Sequence, residues 1–178
     1  IMGSTSYTDA WVYSVSLPNS TSVANTIFYE EMSGTNESIS SLNTWSDGNA
    51  YYDFGSPSGA AGGRLTGDAG TTAGVYNFWT MATSSTTSTP NGTNKAISRD
   101  GLVVLSSDTN DNSVMGSNQN MFIGGRFQEN HLYYLDGQIA EFIIYTDVHT
   151  ELEQEKVQSY LALKYGISKA SADNVGTV

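Results

Sequence analysis

Trp11, Tyr13, Val15 and Leu17 alternate with Val12, Ser14 and Ser16, the period of two that sends successive side chains to opposite faces of a strand. This pattern predicts a half-buried strand with the aromatic set inward. Pro18-Asn19-Ser20 interrupts it, a second strand-like run covers residues 26–32, and Gly34-Thr35-Asn36 closes that run. Further runs of strand character cover residues 39–45, 50–54, 75–83, 95–99, 102–106, 121–123 and 138–145. Short strands at such close spacing predict a sandwich or barrel. Asp100-Gly101 separates two of them and suits the positive φ angles of a two-residue type I′ hairpin. Residues 55–74, rich in Gly, Ala, Ser and Thr, read as a long surface loop around a short strand near Arg64-Leu65, and residues 84–94 as a second polar loop.

The pattern changes after Tyr145. Thr150 followed three residues later by Glu153 forms a capping box, in which each side chain accepts from an amide left free at a helix start. Glu151 and Glu155 favour the positive end of the helix dipole. Val157, Tyr160 and Leu161 are expected to form the apolar face, and Gly166-Ile167 to stop the helix in a Schellman turn. One packed helix therefore closes an otherwise β domain covering residues 1–167, and the small, polar residues 168–178 read as a linker.

Seven basic against eighteen acidic residues give a net charge of -11, which disfavours nucleic acid and anionic membrane surfaces and suits a cation such as calcium. The absence of cysteine rules out a disulfide framework and thiolate metal sites, and two histidines, His131 and His149, argue against a histidine-rich transition-metal site. No apolar run approaches the roughly 18 residues of a membrane helix. The abrupt start at Ile1-Met2-Gly3-Ser4 is expected to lie within a longer protein, with any export signal outside this stretch.

Four segments carry a resemblance when taken in order: Phe78-Trp79-Thr80-Met81-Ala82; residues 95–103 with their Asp-Gly turn; Met121-Phe122-Ile123-Gly124-Gly125; and Leu135-Asp136-Gly137-Gln138-Ile139-Ala140-Glu141-Phe142-Ile143-Ile144-Tyr145. This succession resembles the concanavalin A-like, laminin G-like (LamG) domains of bacterial extracellular proteins, and residues 158–167 are similar to the C-terminal helix of many such modules. The resemblance implies an all-β, two-sheet antiparallel jelly-roll sandwich with one C-terminal helix. It also implies a secreted or cell-surface setting. Glycan-binding modules, adhesive domains and a few enzymes share this fold, so function has to be argued from the site.

Glucanases of this fold set their carboxylates on alternate residues of one strand, with acid and nucleophile about 5 Å apart. The comparable run here, Glu151-Leu152-Glu153-Gln154-Glu155, falls in the helix, where alternate residues do not share a face. Lyases of the fold use an Arg, a Gln-x-His strand and a Tyr; Gln138-Ile139-Ala140 lacks the His, and no lyase motif surrounds Arg64, Arg126, His131 or Tyr133. The expected function is thus a non-catalytic, lectin-like carbohydrate-binding or adhesion module of a larger protein, with a structural spacer and a glycan-cleaving enzyme as alternatives. Sugar sites combine an aromatic platform with planar polar groups, which selects Tyr51, Arg126, His131, Tyr133 and Tyr134, the last four in a predicted loop. Trp11, Trp45 and Trp79 are expected in the core, and Glu141 in a structural hydrogen bond. Asp108, Asn110, Asp111 and Asn112 alternate oxygen ligands as calcium prefers, although the run also reads as a polar turn. Asp47-Gly48-Asn49 reads more simply as a turn.

Overall fold

The aromatic side of the first strand is covered by the helix, and its other side by a second sheet. The computed structural model describes residues 7–31, 38–55, 62–86, 89, 92–109, 121–128 and 131–170. Its elements are β1 (Ala10–Pro18), β2 (Thr26–Glu31), β3 (Ser38–Leu42), β4 (Ala50–Gly55), β5 (Arg64–Gly67), β6 (Asn77–Thr83), β7 (Lys95–Arg99), β8 (Leu102–Ser107), β9 (Met121–Ile123), β10 (Gly125–Gln128), β11 (His131–Tyr134), β12 (Gly137–Tyr145) and α1 (Glu151–Tyr165). One five-stranded sheet runs β12-β1-β6-β7-β8, the other β5-β4-β3-β2-β9, and β10-β11 form a separate hairpin. All the pairings are antiparallel. The architecture is the β-sandwich jelly roll with one C-terminal helix that the sequence predicts.

Val12, Trp79, Met81 and Ile97 of the first sheet meet Phe28, Ile39, Tyr52 and Phe54 of the second to make the main core. On the outer side of the first sheet, Trp11, Tyr13, Val15, Phe78 and Ala82 pack against Leu161 of α1, with Val157, Ala162 and Tyr165 beside them. β1 is therefore buried on both faces rather than half-buried, and Leu17 alone in it is intermediate. Its polar side is accommodated locally: Ser16 is fully buried and accepts a hydrogen bond from the Asn43 amide.

The Asp100-Gly101 turn has φ of 52° and 86°, the paired positive values of a type I′ hairpin, and joins Arg99 to Leu102 in register. In the helix cap, Glu153 N–H donates to Thr150 Oγ1 at 3.3 Å and Thr150 N–H to Glu153 Oε2 at 2.8 Å. Ile167 N–H donates to the Ala162 carbonyl at 3.0 Å across Gly166, which has φ of 65°. The buried face differs from the expected one. Gln154, Gln158 and Leu161 point inward, whereas Tyr160 is exposed. Gln158 can be buried because its Nε2 donates to Thr80 Oγ1 at 3.1 Å, a polar residue on the sheet beneath. Tyr160 instead donates to Glu141 Oε1 at 2.9 Å, and Lys164 to Glu141 Oε2 at 3.1 Å. Glu141 thus has the structural role expected of it, tying α1 to the edge strand β12.

Beyond the helix, Ala170 N–H donates to the Asp100 carbonyl at 2.6 Å, so the chain still touches the body there. Among the described residues no helix is long and apolar enough to cross a membrane.

Candidate functional site

The outer side of the second sheet is built by strand alternation. Tyr52 points into the core and is fully buried, so Tyr51 and Asp53 on the same strand point outward. Asp53 stands opposite Arg64 of β5. The guanidinium grips it with two donors, Nε to Oδ1 at 2.6 Å and an Nη to Oδ2 at 2.9 Å, and Ser40 Oγ donates to Oδ2 at 3.0 Å. Asp53 is 1% exposed, whereas Arg64 keeps 28% of its side chain open. The Asp53 carboxylate raises the Arg64 pKa. The same guanidinium lies over the Tyr51 ring, 5.0 Å from its centroid.

Trp45 joins this face from a turn. β3 ends at Leu42, short of the expected residue 45, because Asn43 and Thr44 bond to Asn25 rather than along a ladder. Trp45 N–H then donates to the Asn49 carbonyl at 2.8 Å and Gly48 N–H to the Trp45 carbonyl at 2.9 Å, with Gly48 at φ of 83°. Inside this turn Asp47 accepts from Asn49 N–H at 3.0 Å, from Asn49 Nδ2 at 3.0 Å and from the Tyr51 hydroxyl at 2.7 Å. Those donors, Tyr51 first, hold the Asp47 carboxyl below its usual pKa. Burial, reinforced by Asp47, pushes the Tyr51 phenol up.

The hairpin supplies the third ring. Residues 131–134 form β11 instead of the expected loop, paired with β10 so that Arg126 stands opposite Tyr133 and Gln128 opposite His131. It is anchored beside β2, where Gly124 N–H donates to the Ile27 carbonyl at 2.9 Å and Leu135 N–H to the Gly124 carbonyl at 3.0 Å. Tyr133 meets Trp45 with ring centroids 4.9 Å apart and planes inclined at 47°, and Trp45 meets Tyr51 edge-on at 6.2 Å and 61°. Leu42, Trp45, Tyr51 and Arg64 line a cleft of about 150 Å³ there. Enclosed small-molecule pockets typically hold about 300–1,000 Å³, so this one suits contact with one face of a ligand. Half-exposed rings beside a carboxylate and a guanidinium offer an apolar platform with an acceptor and donors at its edge.

Of the residues singled out in the sequence, Tyr51 and Tyr133 come together here. Tyr134, on the alternate side of β11, is 60% exposed and packs along Gly125, where an added Cβ would meet its ring at 3.0 Å. Arg126 and His131 are placed by their backbone positions on the hairpin. Asp108 lies exposed just past β8, while Asn110, Asp111 and Asn112 lie outside the described residues. Among the described residues no three His, Cys, Asp or Glu side chains gather as a metal group. Asp47-Gly48-Asn49 is a turn, as expected. Trp45 and Arg64 were not anticipated in the site. Trp45 is half-buried on the surface instead of in the core with Trp11 and Trp79, and the Ser46-Asp47-Gly48-Asn49 turn after it was the available signal.

No family model matches the chain, and no curated protein matches it. Among solved structures it is similar to the CBM40 of the Ruminococcus gnavus IT-sialidase bound to α2,3 sialyllactose, with a TM-score of 0.62 and 14% identity over 85% of this chain and 83% of that one. The same module bound to α2,6 sialyllactose gives a TM-score of 0.61 and 14% identity over 85% and 84%. At that identity the likeness establishes a shared fold.

Proposed function

We propose that this chain is a non-catalytic carbohydrate-binding module that holds glycan on the outer face of its second sheet. The observation that carries the reading is the convergence of Trp45, Tyr51 and Tyr133, all three half-exposed, beside Arg64 and Asp47. A pyranose presents an apolar face to such rings and hydroxyls to the polar groups at their edge. The shared fold with modules solved on sialyllactose supports the reading, as fold alone does not assign function. The role of the adjacent carboxylate supports a non-catalytic character: Asp53 is clamped by Arg64.

The proposal extends to the wider setting implied by the resemblance. The module is LamG-like, with residues 1–167 as the domain and 168–178 leading to a neighbouring domain of a secreted or surface-anchored bacterial protein. It serves there in glycan recognition or adhesion, and calcium assists at the loop beginning with Asp108. A glycan array probed in calcium and again in EDTA tests this. Binding to a defined sugar class is expected, and a blank array from folded protein contradicts it. If calcium is bound, EDTA lowers Tm; an unchanged Tm removes calcium from the account.

A further inference from the structure

Resting on the glycan reading above, we infer that this site selects uncharged glycans and discriminates against acidic ones, with Asp47 as the residue that sets the preference. A sugar carboxylate needs a cation whose charge is not already engaged. Arg64 does not offer one. Two of its five N–H donors are committed to Asp53, and a buried carboxylate lies directly against its charge. What it leaves at the surface is a set of donors without a net positive field, which serves a hydroxyl or a ring oxygen.

Asp47 turns the balance further. Three of the roughly four acceptor positions of a carboxylate are filled by Asn49 and Tyr51, which fix the group at the edge of the ring platform. The remaining position takes a proton donor. A sugar hydroxyl supplies one, whereas an ionised carboxylate supplies none and meets a like charge. The donors around Asp47 also keep it ionised through the ordinary pH range. Summed over the described groups, Asp47, Asp53 and Arg64 carry one negative charge in excess. Adding Arg126, whose backbone stands opposite Tyr133, brings the sum only to zero. The chain as a whole adds a long-range repulsion through its net charge of -11.

The test uses pairs that differ only in whether their carboxylates are free: the methyl ester of sialyllactose against sialyllactose, and methyl-esterified oligogalacturonate against the free acid, titrated calorimetrically into wild type, Asp47→Asn and Trp45→Ala. In any pair that binds, the neutral member is expected to be at least about tenfold tighter, a difference typical of one like-charge contact. Asp47→Asn narrows the gap several-fold by recovering the acidic member, and raising NaCl from about 0.05 M to about 0.5 M strengthens the acidic member alone. An acidic member that binds as well or better, and is lost in Trp45→Ala, overturns the inference and leaves the glycan reading standing. Absence of binding to every pair by folded protein, or binding that survives Trp45→Ala, overturns both.

Discussion

The two sheets carry aromatic residues on their outer faces and use them in opposite ways. On the first sheet, Trp11, Tyr13 and Phe78 are covered by α1 and its leading turn, where His149 stacks on Trp11 with ring centroids 5.7 Å apart and meets the Tyr13 hydroxyl through Nδ1 at 2.9 Å. On the second sheet, Trp45, Tyr51 and Tyr133 meet one another and the Arg64 guanidinium and stay half-exposed, and Trp45 and Tyr51 line a cleft. The residue types are nearly the same. What separates core from candidate site is whether an element stands opposite, which depends on the tertiary fold rather than on the strand carrying the rings.

Substitution should expose this asymmetry most strongly in the two tryptophans. Trp11→Ala opens a cavity under the helix and is expected to cost about 3–5 kcal/mol of unfolding free energy in urea titrations. Trp45→Ala is expected to cost about 1 kcal/mol or less of stability, yet to weaken glycan binding by about 2 kcal/mol, roughly 30-fold. Equal losses of stability in the two variants would erase the distinction between the faces. A smaller effect comes from the helix cap: Thr150→Ala removes one half of the capping box and should lower stability by about 1 kcal/mol with glycan affinity unchanged.

The smallest expected effect is a pH dependence confined to the closed face. Burial holds the His149 imidazole below its usual pKa, with Glu153 and Asp147 partly opposing the shift. Below about pH 6.5 the unfolded chain therefore binds a proton that the folded chain resists. The stability contributed by neutral His149 is full above that pH and is lost as pH falls through the folded-state pKa. Chemical denaturation at about pH 7.5 and about pH 5 should show a larger loss in wild type than in His149→Gln. Identical losses in the two proteins would mean that the imidazole carries no such linkage.

Local chemistry was legible in the sequence, and contacts between distant segments were not. The Asp100-Gly101 hairpin and the Thr150/Glu153 cap depend on neighbours within a few residues, and each follows from backbone geometry. The double burial of β1 escaped because its outer face is covered by a helix more than a hundred residues later in the chain. Gln158 escaped for a related reason, since its partner Thr80 is a residue of β6. The β10-β11 hairpin carries Arg126, Gln128 and His131 among its eight strand residues, a mixture too polar to stand out as strands. Without that hairpin in place, nothing local connects Tyr133 to Trp45, and half of the candidate site stays hidden.

The most direct test of that site is a parallel glycan array of wild type, Trp45→Ala and Leu163→Ser, the last a substitution at an exposed position on the helix. Melting curves recorded beside it confirm that all three are folded. The account predicts that wild type and Leu163→Ser bind the same sugars, while Trp45→Ala loses them with its Tm little changed. A folded Trp45→Ala that binds as wild type does would contradict the assignment of glycan binding to the outer face of the second sheet.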